Sequence, residues 1–209
     1  MAGGKAMLPI ALAAILTVAI VLERFWSLRR KEVLPPHLAG EVRAWAQQSR
    51  RLEESHLQAL ARTAPLGEVF AAVLRVRHLG RDAVKERVED AGRHAMHGLE
   101  RFLNTLGTIA LIAPLLGLLG TVIGLIRMFL AVMTHGIGDA NQMAGGIGEA
   151  LVCTAAGLCV AIPAYIMHRY FRGKVAQLGV DMEREVIALV DALDAEPAPA
   201  APAIRRAVK

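Results

Sequence analysis

Three long apolar blocks, separated by charged stretches, constrain this chain more than any other feature of its sequence. They run from Met7 to Leu22, from Phe102 to Thr134 and from Ala150 to Met167. The chain is 55% hydrophobic but only 4% aromatic, so its apolar content is mainly aliphatic. Aliphatic residues gathered into blocks are typical of a membrane protein, and the pattern predicts an all-α fold with three transmembrane helices.

The lengths of the blocks decide how each one meets a bilayer, whose apolar core of roughly 30 Å needs about 20 helical residues. The second block exceeds this length. The third reaches it if its helix begins before Ala150, which brings Glu149 into or beside the membrane. The first block is short, and a signal peptide is its alternative interpretation. A span is favoured, because the block ends in an interfacial anchor, Glu23 to Trp26, without a small-residue cleavage site.

Basic residues indicate the orientation of the three spans. They cluster after the first span, before the second and after the third: Arg24, Arg29, Arg30, Lys31, Arg93, Arg101, Arg169, Arg172 and Lys174. The opposite loop, about His135 to Gln142, contains Asp139 and neither Lys nor Arg. The positive-inside rule therefore predicts a periplasmic N-terminus and a cytoplasmic C-terminus in a bacterial inner membrane. The formal net charge of +5 then reflects topology, and no nucleic-acid partner is predicted.

Between and beyond the blocks, apolar residues recur at spacings of three and four, which indicates long cytoplasmic helical extensions. The segment after Ala195 is rich in Pro and Ala, and we expect it to be a disordered tail. The predicted segments are an N-terminus with the first transmembrane helix (1–23), a cytoplasmic helical loop (24–101), the second transmembrane helix (102–134), a periplasmic loop (135–145), the third transmembrane helix (146–168), a cytoplasmic helix (169–194) and the tail (195–209).

Small residues line one face of the second and third spans at intervals of three and four. The members that we expect to mediate helix packing are Gly117, Gly120, Gly124, Ala150, Gly157 and Ala161. In lipid, where apolar burial does not drive helices together, small residues at this period allow close backbone approach.

Four polar or charged residues in these spans are not explained by packing. Thr121 and Thr154 carry hydroxyls, although a lone threonine often returns its hydroxyl to its own helix. Glu149 lies where the third span begins, and an intramembrane acid normally faces a bundle interior or a wet cavity. Arg127 lies about two turns from the outer end of the second span. Snorkelling to that surface is its simpler explanation, with a role in an ion path as the alternative.

Motifs for other functions are not found in the sequence. The glycine-rich stretch from Gly136 to Gly148 completes neither a P-loop nor a dinucleotide fingerprint. No Ser-His-Asp or Cys-His arrangement suggests a catalytic site, so no enzyme activity and no cofactor are predicted. His94 and His97 approach ligand spacing, but a solvated charged helix explains them better than a metal site does.

Two segments resemble the ExbB/TolQ/MotA family of proton-channel proteins, closest to the ExbB/TolQ branch. They are APLLGLLGTVIGLIRMF, from Ala113 to Phe129, and GGIGEALVCTAAGLCVAIPA, from Gly145 to Ala164. The resemblance implies a ring-forming homo-oligomer, a pentamer, around an ExbD/TolR-like single-span partner with a membrane aspartate. It also implies that proton-motive force drives mechanical work across the periplasm through a TonB/TolA-like protein.

The resemblance also assigns roles to residues within the bilayer. Thr121 and Thr154 would be pore-facing hydroxyls, and Glu149 the acid of the segment entering the third span, together forming the proton path. Arg127 departs from the family pattern, which has a smaller or uncharged polar residue at that place. The alternative function from another class is a membrane scaffold that assembles helices without conducting ions. Such a scaffold would tolerate loss of Glu149 and of both hydroxyls.

Overall fold

The computed structural model describes residues 7–48, 53–135 and 140–194, and helices account for almost all of them. Their order is α1 (Met7–Ser27), α2 (Arg30–Val33), α3 (Leu38–Gln48), α4 (Glu54–Thr63), α5 (Pro65–Val76), α6 (Arg81–Leu99), α7 (Leu103–His135) and α8 (Ala140–Asp194). No strand occurs in this part of the chain. The predicted tail, 195–209, lies outside the described residues.

Three of these helices are long and apolar enough to cross a membrane. The candidate spans are Met7–Ser27 in α1, Leu103–Thr134 in α7 and Ala144–Leu193 in α8. The predicted all-α membrane fold with three spans is therefore confirmed. The ring assembly and the boundaries of the segments stay predictions.

α8 is one continuous helix of 55 residues. At a rise of 1.5 Å per residue it is about 80 Å long, well over twice the apolar thickness of a bilayer. Only part of α8 can therefore lie in lipid, and the remainder extends beyond the membrane surface.

The described chain divides into two compact units, of which the first contains the described residues of 7–29 and 98–176. Within it, α1 packs along α7 and buries Ile10, Thr17 and Ile20, which share one helix face. The opposite surfaces of the spans expose large apolar side chains: Leu8, Ile15 and Leu22 of α1, Leu111 and Leu115 of α7, and Ile162 of α8. Such an apolar exterior is suited to lipid or to neighbouring membrane helices.

A buried arginine joins the end of α1 to the start of the second span. Only 4% of the side chain of Arg24 is exposed, and its guanidinium bonds to the carboxylate of Glu23. The Nη1 atom donates to the carbonyl oxygen of Leu99 at 3.1 Å, and the guanidinium carbon lies 5.5 Å from the ring centroid of Phe102. Phe102 lies between the end of α6 at Leu99 and the start of α7 at Leu103. Its positive φ of 63° interrupts the helical backbone there. Arg24 can be buried because its donors meet acceptors there.

The second unit contains the described residues of 30–97 and the part of α8 from Gln177 onward. Its centre is α5, which packs on α4 and α3 and buries seven of its residues. The α8 segment in this unit buries a stripe on one face, Leu178, Met182, Val186 and Leu189. Ion pairs of Arg30 with Asp181, at 3.2 Å, and of Arg43 with Glu185 flank this stripe. The apolar repeat predicted for the cytoplasmic part of α8 is thus buried within the protomer.

The α4 and α5 pair depends on a glycine at their contact. A Cβ atom on Gly67 would lie 2.2 Å from the backbone oxygen of Leu60, which cannot move without displacing α4. We expect Gly67→Ala to lower the free energy of unfolding by about 1–3 kcal/mol, the usual cost of overpacking. Thermal unfolding of the full chain in detergent, followed by circular dichroism, measures the change.

Gly92→Ala is the matched control, because a Cβ atom on Gly92 of α6 meets nothing within 4 Å. Alanine has the higher helix propensity, so this substitution should leave the stability unchanged or raise it by up to about 1 kcal/mol. Equal destabilisation by the two substitutions would contradict the role of Gly67.

Candidate functional site

α7 and α8 contact one another backbone to backbone, at glycines. A Cβ atom on Gly157 would lie 2.6 Å from the carbonyl oxygen of Ala113, and one on Gly117 would lie 3.0 Å from that of Cys153. A side chain larger than hydrogen would therefore force the two helices apart at Gly157, and at Gly117 the facing backbone would have to shift by a few tenths of an ångström. From residue 113 to 117 on α7, the contacting residue on α8 changes from 157 to 153, so the two helices run antiparallel.

The contact continues toward the ends of the helices that the short 136–139 segment connects. A Cβ atom on Gly124 would lie 3.1 Å from the Cβ of Ala150, and one on Gly146 would lie 3.1 Å from the Cβ of Met128. Gly120 is buried as well, and Ala161 is only 5% exposed. Four of the six small residues singled out from the sequence, Gly117, Gly124, Ala150 and Gly157, therefore lie at the contact, which we call the α7/α8 seam (residues 113–128 and 146–161).

The two threonine hydroxyls are in different environments in the seam. The hydroxyl of Thr121 donates to the carbonyl oxygen of Leu118 at 2.7 Å, within its own helix. The hydroxyl of Thr154 points across the seam, 3.5 Å from the carbonyl oxygen of Gly117. That distance is long for a hydroxyl donor, so Thr154 is only weakly engaged. Thr121 lies between the contacts made by Gly117 and Gly124 on the same helix, which places it close to the same part of the seam.

Glu149 is not isolated in the structure. Its Oε1 atom lies 3.5 Å from Nη1 of Arg127, and the two side chains are 30% and 52% exposed. This ion pair joins α8 to α7 beside the Gly124 and Gly146 contacts. Arg127, for which snorkelling was the simpler explanation, thus contacts the acid of the seam.

A histidine lies farther along the two helices, toward Leu103. A Cβ atom on Gly107 of α7 would lie 3.0 Å from Nε2 of His168, so the ring of His168 packs flat on that glycine. Arg169 and Arg172 follow His168 on α8. This contact is not predicted from the sequence, since Gly107 lies outside the small-residue stripe.

The sequence contained only part of the signal for the Arg127 and Glu149 pair. Arg127 lies eight residues before the end of α7, and Glu149 lies nine residues after the start of α8. In an antiparallel pair with a short connection, residues at equal distances from the turn lie at equal depth. With the span ends predicted from the sequence, at 134 and 146, Arg127 and Glu149 lie seven and three residues from the connection, so the pairing becomes visible only with the observed start of α8.

Comparison with known proteins places most of the chain in one family model. Residues 46–184 match the model described as the MotA/TolQ/ExbB proton channel family. The match includes α7, the membrane part of α8 and both sides of the seam.

Individual relatives carry names of the same kind. An ExbB-like biopolymer transport protein of Synechocystis sp. is 35% identical over 170 residues, which are 80% of this chain and 66% of the relative. A second from the same organism is 32% identical over 183 residues, 82% of each chain. An ExbB homolog of Methanothermobacter thermautotrophicus is 31% identical over 175 residues, 83% of this chain and 61% of the relative. The chain thus spans about two thirds of the length of the first and third of these relatives.

The seam predicts a position-specific effect of adding one methyl group. Gly157→Ala would place its Cβ against the carbonyl oxygen of Ala113 and push α8 away from α7, so we expect a loss of about 1–3 kcal/mol of stability. Thermal unfolding of the detergent-solubilised protein measures it. Gly148→Ala on the same helix is the control, since a Cβ atom on Gly148 meets nothing within 4 Å. Indistinguishable unfolding curves for the two variants would rule out close contact at Gly157.

Proposed function

Because this chain belongs to the MotA/TolQ/ExbB proton channel family, we propose that it is the proton-conducting subunit of a motor in the bacterial inner membrane. In this proposal the motor converts proton-motive force into mechanical work on a periplasm-spanning partner. The N-terminus faces the periplasm and the C-terminus the cytoplasm, as the basic clusters beside the spans indicate.

The observation that carries the proposal is the polar content of the α7/α8 seam. In the two apolar segments, residues 103–134 and 144–167, Arg127 and Glu149 are the only residues of the Asp, Glu, Lys and Arg types. Thr154 directs a weakly held hydroxyl into the same seam. Polar groups in membrane helices are costly, and their gathering at one contact is typical of an ion path.

Assembly is part of the proposal. Several copies, five in the arrangement implied by the resemblance, surround an ExbD/TolR-like single-span partner whose membrane aspartate takes up and releases protons. A TonB/TolA-like protein then carries the work across the periplasm. The exposed apolar surfaces of α1, α7 and α8 are available for lipid, for neighbouring copies and for the partner.

The energy for this cycle comes from the membrane potential. One elementary charge that crosses about 100 mV releases roughly 2.3 kcal/mol. Several protons can therefore bias a packed interface between two arrangements of ring and partner. In this scheme Thr121, Glu149 and Thr154 relay or stabilise the proton beside the partner's aspartate.

Removal of the Thr154 hydroxyl tests the proton path. Thr154→Val keeps the shape of the side chain, so the complex should assemble. We expect proton flux to fall by about fivefold, the change that corresponds to loss of roughly 1 kcal/mol of hydrogen bonding. The measurement is proton uptake into liposomes that contain the protein and its single-span partner, under an imposed potential.

Thr108→Val is the matched control, because the Thr108 hydroxyl bonds to the carbonyl oxygen of Asn104 in its own helix at 2.8 Å, outside the seam. Its flux should equal that of the native chain. Unchanged flux in assembled Thr154→Val, and in the double variant with Thr121→Val, would count against the path. A well-assembled native complex without any flux would favour the non-conducting scaffold.

Glu149→Gln should reduce proton flux more than Thr154→Val does. The substitution removes the acid of the seam and also leaves the guanidinium of Arg127 without its 3.5 Å partner. The same liposome assay measures the effect, with size-exclusion chromatography to establish that the complex still forms. Native flux in assembled Glu149→Gln would remove Glu149 from the proposed path.

A further inference from the structure

The two charged residues of the α7 and α8 apolar segments contact each other. Residues 103–134 contain Arg127 as their only Lys or Arg, and residues 144–167 contain Glu149 as their only Asp or Glu. Nη1 of Arg127 lies 3.5 Å from Oε1 of Glu149. The segments therefore bring one positive and one negative charge to a single place, with no net charge.

Backbone packing fixes the approach of these two side chains. Met128 and Ala150 are the chain neighbours of Arg127 and Glu149, and both lie at the seam. A Cβ atom on Gly146 would contact the Cβ of Met128, and one on Gly124 would contact the Cβ of Ala150, each at 3.1 Å. With the helices held at this distance on both flanks of the pair, the guanidinium and carboxylate remain within reach of each other.

The guanidinium changes what the carboxylate can bind. A lone carboxylate is a ligand for hard cations, which favour oxygen donors. A positive charge held beside that carboxylate repels a second cation. A proton path through the hydroxyls and Glu149 remains open, because hydroxyls and carboxylates transfer protons by exchanging hydrogen bonds and do not need to bind a metal ion.

We propose that Arg127 is a positioning and selectivity residue, whose guanidinium neutralises Glu149 and thereby excludes Na⁺ and similar metal cations from the seam. The inference rests on the proposed proton path for its physiological meaning, but the pairing and the exclusion can be tested without any flux. Arg127 thus has a partner within the protein and acts through Glu149.

The test is carbodiimide labelling of Glu149 in membrane vesicles that contain the full-length chain, quantified by mass spectrometry of the Glu149 peptide. A hydrophobic carbodiimide reacts with a neutral carboxyl group in an apolar environment, and a carboxylate paired with a guanidinium is protected. The reaction is run in NaCl and, at equal ionic strength, in choline chloride, because choline is too large to occupy a carboxylate site between packed helices.

Native protein should be labelled slowly and equally in the two salts. Arg127→Gln should be labelled about tenfold faster in choline chloride, since the counter-charge is gone. NaCl should slow labelling of that variant, because Na⁺ occupies the exposed carboxylate. Arg127→Lys, which keeps the charge, should resemble the native chain. Arg127→Gln combined with Glu149→Gln should show no labelling of this peptide and controls for its specificity.

Two outcomes overturn the proposal. Labelling of Arg127→Gln at the native rate would mean that Arg127 does not neutralise Glu149 and instead reaches the lipid headgroups. Faster labelling that NaCl and choline chloride affect equally would mean that the pair does not exclude Na⁺. Arg127→Met, a neutral side chain that suits an apolar helix, provides a second variant if the glutamine variant fails to insert. Because labelling needs no partner and no flux, its result is independent of whether the complex conducts protons.

Discussion

Close backbone contact between α7 and α8 is the constraint on which the rest of the membrane part depends. In lipid the hydrophobic effect does not draw helices together, so their association depends on van der Waals contact. Glycine permits the closest approach of two helix backbones. The carbonyl oxygen of Ala113 lies where any larger residue at Gly157 would collide with it, and that of Cys153 leaves little room for a Cβ atom at Gly117. That approach brings the hydroxyl of Thr154 to the opposite helix and the carboxylate of Glu149 to Arg127. The polar chemistry of the seam is thus a consequence of its packing.

Two arginines show how this membrane unit accommodates charge. Arg24 is almost fully buried and satisfied by Glu23, by the carbonyl oxygen of Leu99 and by the face of Phe102. Arg127 is half exposed and pairs with Glu149, the one acid of the apolar segment 144–167. An unpaired charge in an apolar environment is expensive, and Arg24 is paired with its chain neighbour Glu23, whereas Arg127 is paired with an acid of the next helix. The bond from Arg24 to the Leu99 carbonyl joins α1 to the end of α6, and the pair at Arg127 alters the properties of a functional carboxylate.

Much of the fold could be predicted, because it depends on the lengths of apolar blocks and on residue spacings within single helices. Block length against bilayer thickness predicted three spans, and the structure has three helices that qualify. Spacings of three and four predicted helical extensions, and the α8 stripe from Leu178 to Leu189 is buried in the protomer. The start of α8 at Ala140 was harder to predict, since the segment from Ala140 to Gly148 is weakly apolar and rich in glycine. The Arg24 contact with Leu99 could not be predicted from the sequence, because it joins residues 75 positions apart.

The sequence by itself determined that this chain is helical, that it spans a membrane three times, and that its second and third spans carry small residues and a few polar ones. These properties follow from composition and from the spacing of apolar and small residues, both of which can be read along a single helix. Only the tertiary structure decided which polar groups meet. In the structure the Thr121 hydroxyl bonds within its own helix, and the Thr154 hydroxyl points toward α7. Glu149 forms an ion pair with Arg127. The reason is geometric: the register of two antiparallel helices depends on atom-to-atom packing at their glycines, and no period along either helix specifies it.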